Sequence, residues 1–306
     1  KDLPVDVLSV RTQLVDLMNQ YQDIAGAKLA ISYETPDNSQ EKVAELAGKG
    51  IPQIQFNVRG KQKAEVWRGF FGAEITSGEG DSAVKEAIPL VQSIDNAEYD
   101  FISAIYSVSR ESKENIAFLT GHEEKKNEFA DLAKNYNISS VKIMSAGDKK
   151  GFYYEKAAAS EKEKPEQIFV EPKTLIIAGP SAEITSDEIA VVRDYVKKGG
   201  NLFVLAEAVG VNNNLAATPI KNNLNELVKN YGITINDDLI YDQYNANIPY
   251  QMGGFQAFAP YSYWVRAQKE NFGDSASLSA LQSLVFPWVS SLSIGDNDNY
   301  TARVLI

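Results

Sequence analysis

A chain of 306 residues with 44% hydrophobic and 23% charged side chains can bury a sizeable core, which excludes a wholly disordered polymer. Acidic residues outnumber basic ones 41 to 30, and the resulting net charge of -11, with no basic stripe to offset it, excludes nucleic acid as a partner and opposes anionic lipid. Zero cysteines removes disulfides, thiol nucleophiles and cysteine-based zinc sites together, and suits a cytoplasmic or a bacterial periplasmic compartment equally.

The length favours two domains, which the pattern divides as 1–110 and 111–306. Lys1-Asp2-Leu3-Pro4 starts abruptly, with no signal peptide and no apolar window near the roughly 18 residues of a membrane span, so the chain reads as a soluble region excised from a longer protein. Leu8, Leu14, Val15, Leu17, Met18 and Tyr21 set an apolar stripe at helical spacing, ended by Gly26. Lys28 to Tyr33 alternates like a strand, and Gln40 to Ala47 is a second helix closed by Gly48. Gln53 to Val58 and Glu65 to Ile75 are β-rich runs around Gly60-Lys61-Gln62, the signature of a hairpin. Ser77 to Gly80 is a turn, and Ile94, Phe101, Ile102, Ile105 and Val108 mark a third helix.

From Asn115 the rhythm changes to alternating strand and helix, which predicts a parallel sheet. Ile116 to Leu119 is a strand, followed past Thr120-Gly121 by a helix with Phe129, Leu132, Ala133 and Tyr136 inside, then a strand at Val141 to Met144. Lys156 to Gln167, charged and alanine-rich, reads as a mobile insertion. Thr174 to Ala178 is the clearest buried strand. Thr185-Ser186-Asp187-Glu188 then matches a capping box, Ile189, Val192 and Val196 face inward, and Gly199-Gly200 supplies a left-handed cap. Strands at Asn201 to Ala206 and Ile233 to Ile235 flank a helix from Leu224 to Tyr231 that Gly232 stops. Beyond Tyr241 the chain is rich in aromatic, Gly, Asn and Ser residues and its periodicity is weak, although Tyr300 to Ile306 again looks like a strand.

The stretch TLIIAGPSAEITSDEIAVVRDYVKKGGNLFVL resembles the auxiliary component of ABC transporters linked to bacterial gliding motility. LPVDVLSVRTQLVDLMNQYQ near the start, GIPQIQF at Gly50 to Phe56 and IAFLTGHEE at Ile116 to Glu124 add to the likeness. The resemblance implies an extracytoplasmic (periplasmic) domain held by transmembrane helices outside these residues and working beside an ABC permease and other membrane components. It implies for residues 111–306 a flavodoxin-like, class I glutamine amidotransferase-like parallel-sheet domain, related to the GIFT domain of intraflagellar transport proteins. For residues 1–110 the α/β order is similar to a thioredoxin-like layout, with Pro52 as its loop proline in the cis form; the active-site dithiol of that fold cannot exist here.

Amidotransferases of this class place a cysteine on a strand-to-helix elbow beside a histidine and an acid, and without cysteine that reaction is excluded. A serine substitute would be Ser181 in Gly179-Pro180-Ser181 with His122, the single histidine, as its base. The proline departs from the Gly-x-Ser-x-Gly elbow, so capping and loop roles compete with the nucleophile. His122 lies past a strand's carboxyl end, where ligands bind parallel sheets, while Gly121-His122-Glu123 also reads as the start of a helix with its acids in the first turn. Asp296 to Asn299 lacks the glycine and distant glutamate of an EF-hand loop, and Gly147 to Gly151 lacks Walker spacing. Tyr241, Tyr244, Tyr250, Phe255, Phe258, Tyr261, Tyr263 and Trp264 form an aromatic cluster suited either to stacking on sugars and protein partners or to packing a long loop onto the core.

The candidate ligand- or partner-binding residues are thus Gly121, His122, Glu123, Gly179, Pro180, Ser181 and Glu207, with Tyr250, Tyr261, Tyr263 and Trp264. No catalytic residue, metal ligand or cofactor is assigned. The expectation is a non-catalytic auxiliary module of an ABC-type transport system; a stand-alone carbohydrate- or peptide-binding protein and a divergent hydrolase are the alternatives.

Overall fold

The computed structural model describes residues 5–59, 64–91, 93–110, 112–125, 130–146, 149–156, 165–275, 278, 281–295 and 300–306, which fall into two compact units, 1–113 and 114–306. Among these residues no helix is long and apolar enough to cross a membrane.

The first unit opens with α1 (Val5–Ala25) and α2 (Gln40–Gly48), the latter capped by the Ser39 hydroxyl accepting from Lys42 N–H at 3.3 Å. β1 (Ile54–Arg59) pairs antiparallel with β2 (Ala64–Gly69), and β3 (Ala73–Ser77) with β4 (Val84–Ile88), before α3 (Ile94–Ser109). Met18, Ile88, Val91, Ala97, Phe101 and Ala104 form its core, with Leu14, Leu17 and Tyr21 of α1 packed against it. Helical spacing in α1 and α3 thus delivers one stripe from each helix to a common core. Three expectations change here. The run from Glu65 to Ile75 divides after Gly69, because its last residues pair with β4 and not with β1. Lys28 to Tyr33 enters no ladder: Gly26 to Lys28 is a 3₁₀ turn, and the extended residues after it find no strand beside them. Among the described residues the ladders of this unit are two separate antiparallel pairs, where a thioredoxin-like layout calls for one sheet, and the described peptide bonds, that before Pro52 included, are all trans.

The second unit is built on a six-stranded sheet. β5 (Glu114–Leu119), β6 (Tyr136–Ala146), β9 (Thr174–Ala178) and β10 (Asn201–Leu205) run parallel in the order β10-β9-β5-β6; β7 (Lys149–Lys156) and β8 (Glu166–Val170) extend the edge antiparallel, so the sheet is mixed. Strand pleating divides the apolar run of β5 and β9 between two faces. Ala117, Leu119, Leu175 and Ile177 pack with Ile189 and Val192 of α4 (Ser186–Lys197) and with Leu224 and Leu227 of α5 (Leu224–Val228), whereas Ile116, Phe118, Ile176 and Ala178 face Leu132 and Tyr136. Leu119, Leu175 and Ile177 have no exposed surface at all.

The predicted insertion narrows accordingly. Residues 157–164 lie outside the described residues, and the segments on either side of them are β7 and β8. Phe129 also lies outside, and in place of the long helix after Gly121 stands a 3₁₀ helix, Ala130–Lys134, with Tyr136 already in β6. Tyr300 to Ile306 forms no strand, although Gly273 N–H donates to Leu305 O at 2.7 Å.

The rest of the unit is antiparallel: β11 (Val209–Val211) with β12 (Ala217–Pro219), β13 (Ile233–Ile235) with β17 (Leu292–Ile294), and a three-stranded sheet of β14 (Asn245–Met252), β15 (Phe255–Gln268) and β16 (Ser283–Pro287). The aromatic segment is therefore a hairpin and not a loop. Ile233 to Ile235 is a strand as expected, but outside the parallel sheet.

Candidate functional site

Three loops leave the carboxyl ends of β5, β9 and β10 and meet above the sheet, carrying seven of the predicted residues. Thr120 stays tied to the sheet, its N–H and hydroxyl both donating to Val141 O at 2.8 and 3.1 Å. Gly121 and Glu123 then take φ of 124° and 61°, so the chain turns back and does not start a helix. A left-handed glutamate is uncommon and costs on the order of 1 kcal/mol, offset here by what the turn aligns.

His122 is buried between two carboxylates. Its Nδ1 is 2.9 Å from Glu124 Oε1, its Nε2 is 3.3 Å from Glu188 Oε1, and its backbone N–H donates to Glu124 Oε2 at 2.9 Å. The hydrogen bond to Glu124 raises the imidazole pKa above its ordinary value; burial opposes the shift, and the charges of Glu124 and Glu188 strengthen it. As an imidazolium, His122 donates from both ring nitrogens. Glu188 also completes the capping box of α4, accepting from Thr185 N–H and Oγ1 at 3.0 and 2.7 Å. One carboxylate therefore joins a helix terminus to the loop after β5.

Ser181 is tied to the same loop. Its N–H and that of Ala182 donate to His122 O at 3.0 Å, and its hydroxyl donates to Glu123 Oε2 at 2.6 Å. Gly179, at φ 56°, donates to Leu205 O and lies beneath Lys125, whose Nζ reaches Glu207 Oε1 at 2.5 Å. Pro180 is fully buried, and its carbonyl accepts from the Nδ2 of Asn222 at 2.9 Å. Asn222 also donates to Glu207 O at 3.3 Å and accepts from Leu224 N–H at 3.1 Å.

Sequence reasoning missed Glu124, Glu188 as a partner of His122, Lys125 and Asn222. The buried asparagine has no signal in the chain, whereas the acids beside His122 were visible and read as helix-start residues.

A cavity of about 190 Å³ opens beside His122, lined by Thr120, Gly121, Lys142, Met144, Glu155 and Glu188. A second, of about 270 Å³, lies near Phe169 and Tyr195. Among the described residues no group of three or more His, Asp or Glu side chains is arranged to hold a metal ion, and Asp296 to Asn299 lies outside them.

The aromatic candidates sit on the β14–β15 hairpin. Tyr261, Tyr263 and Trp264 belong to a ring cluster completed by Tyr241 and Trp288: Trp264 and Trp288 meet edge-to-face at 5.6 Å, Tyr261 and Tyr263 stand 5.8 Å apart, and Trp288 Nε1 donates to the Tyr261 hydroxyl at 3.3 Å. Tyr250 is exposed further along the hairpin, opposite Ala257.

The sequence pattern of the family described as "ABC-type uncharacterized transport system", the auxiliary component, matches residues 113–306. The chain belongs to this ABC transport auxiliary family. A Borreliella burgdorferi protein described as uncharacterized is 29% identical over 261 residues, covering 84% of this chain and 48% of the relative. The chain thus spans about half the length of that curated relative. A solved structure titled mmIFT52 N-terminal domain aligns with 60% of this chain and 69% of its own at 20% identity and a TM-score of 0.37.

Proposed function

We propose that this chain is a non-catalytic, extracytoplasmic module of an ABC-type transport system of the gliding-motility kind, acting through contact with the permease and its membrane partners. One observation carries the non-catalytic reading: the Ser181 hydroxyl is donated to Glu123 while both ring nitrogens of His122 face carboxylates. A serine nucleophile needs the histidine as proton acceptor, and an imidazolium held by two anions is a poor one. The parallel strands β10-β9-β5-β6 are read as a flavodoxin-like, amidotransferase-derived scaffold whose loops have become structural.

The cleft beside His122, about 190 Å³, is smaller than the roughly 300–1,000 Å³ that encloses a sugar- or drug-sized ligand, which supports a scaffold role for these loops. The test is purification of the full-length protein from membranes, with cross-links mapped onto residues 114–306. Retention of permease components with cross-links on this unit supports the proposal. Amide or ester turnover that survives repurification and disappears in His122→Ala overturns it.

A further inference from the structure

The chain is 23% charged, yet the run from Asn245 to Val265 contains no charged residue, and the three strands β14, β15 and β16 together carry Arg266 alone. Gly253 and Gly254, at φ 58° and 86°, form the two-residue turn whose twist matches a hairpin, and they place Met252 opposite Phe255 at its tip. These side chains are 62% and 79% exposed. Directly opposed residues share a face, so Met252, Phe255, Tyr250, Ala257, Ile248 and Ala259 make one continuous apolar surface. Phe258, 64% exposed, stands on the other face one rung beyond Tyr250.

The side chains are graded along the hairpin. On the face of the purely apolar Met252 and Phe255, Tyr250 lies roughly 7 Å behind the tip at about 3.3 Å per residue, while the other face carries Gln251 opposite Gln256 and then Phe258 about 10 Å from the tip, and the Tyr–Trp cluster lies at the base. A bilayer surface imposes this order: apolar groups below the headgroups, amphipathic rings at their level. A protein partner imposes no such axis. The free edges set the depth. β15 meets β16 from Trp264 onward and Tyr263 O accepts from Trp288 N–H at 2.8 Å, so residues 255–261 present an edge with no strand beside it among the described residues, one that must stay within reach of water and headgroups. Charge selects the lipid class, because a chain of net charge -11 is repelled by an anionic surface while its neutral hairpin matches a zwitterionic one.

We propose that the tip of the β14–β15 hairpin docks into the interfacial zone of a zwitterionic lipid bilayer. This chemistry holds whether or not the chain works beside a permease.

The test is cosedimentation of the 306-residue chain with phosphatidylcholine vesicles. The native chain should bind, and Met252→Ser combined with Phe255→Ser should lower the partition coefficient at least roughly tenfold. Binding should hold from about 0.05 to about 0.5 M salt, and phosphatidylserine should weaken it at the low end. Phe255→Trp adds a direct reading: the introduced indole should shift to the blue and be quenched by bromine-labelled acyl chains beyond the signal of the three native tryptophans. Absence of vesicle binding, equal binding by the double serine variant, or an unquenched indole overturns the proposal. Transporter proteins captured through Met252 and Phe255 without vesicle binding would assign the hairpin to a protein partner and overturn it equally.

Discussion

His122 and Glu124 close a two-point clasp: Nδ1 stands 2.9 Å from one carboxylate oxygen while the histidine's own backbone N–H reaches the other at 2.9 Å. The hydrogen bond to Glu124 holds the imidazole above its ordinary pKa of 6.5, against the effect of burial. Burial works to raise Glu124 and Glu188, but hydrogen bonds from His122 and Thr185 prevail and keep both below 4.5. Folded His122 binds its proton more tightly than the unfolded chain does, so its contribution is whole below pH 6.5 and is lost as pH rises through the raised value. The glutamates contribute fully above 4.5 and lose that contribution as pH falls through their lowered values. Urea unfolding at stepped pH should therefore show this cluster's stabilisation greatest between 4.5 and 6.5, with a decline on the alkaline side. His122→Gln should flatten the alkaline limb and cost about 2 kcal/mol near pH 6. An unaltered limb would mean that the clasp carries no proton linkage.

Glu188 serves two partners, and mutants can separate them. Thr185→Ala removes the cap alone and should cost about 1 kcal/mol. Glu188→Ala removes the reciprocal half of the capping box and the contact at 3.3 Å with His122, so it should cost more. A double-mutant cycle between His122 and Glu188 should give a coupling of about 0.5–1 kcal/mol that shrinks above the histidine's pKa. A coupling independent of pH would assign the contact to packing.

Asn222 ties the loops after β9 and β10 to the start of α5 through two donated bonds and one accepted bond, all within a buried site. Asn222→Leu should cost about 2–3 kcal/mol, since the Pro180 carbonyl and the Leu224 N–H both lose their partner away from water. Asn222→Asp should be no better: it keeps the acceptor for Leu224 and turns a second oxygen toward the Pro180 and Glu207 carbonyls. Thermal unfolding of both variants checks the order.

Which parts were legible in the chain follows from the range of each interaction. Thr185 and Glu188 are three residues apart, and the apolar run of the strand Thr174 to Ala178 is contiguous, so both were readable and both hold. The edge strands β7 and β8 were not, because their apolar runs are only three residues long, flanked by Lys150, Glu155 and Glu166, and their pairing spans residues outside the described ones. The hairpin carried a signal that was passed over: Gly253-Gly254 between two runs of similar length marks a tight turn. The clasp of His122 on Glu124 needs a left-handed residue between them, and a glutamate at that position gives no hint of it.

Gly199 and Gly200 stand side by side after α4 for different reasons. Gly199 has φ 93° and open space where a Cβ would be, so its requirement is conformational. Gly200 lies in an ordinary region, but a Cβ there would strike the Tyr195 ring. That ring cannot readily move, since its single hydroxyl proton is shared between Asn201 O at 2.9 Å and Pro172 O at 3.1 Å and it meets Phe152 edge-on at 5.3 Å. Gly199→Ala should cost about 1 kcal/mol. Gly200→Ala should cost about 2 kcal/mol, because it must displace a packed aromatic residue. Tyr195→Leu should relieve most of the Gly200→Ala penalty and none of the Gly199→Ala penalty, read as midpoint shifts in urea. Equal penalties in the Tyr195→Leu background would show that backbone conformation, and not the ring, demands both glycines.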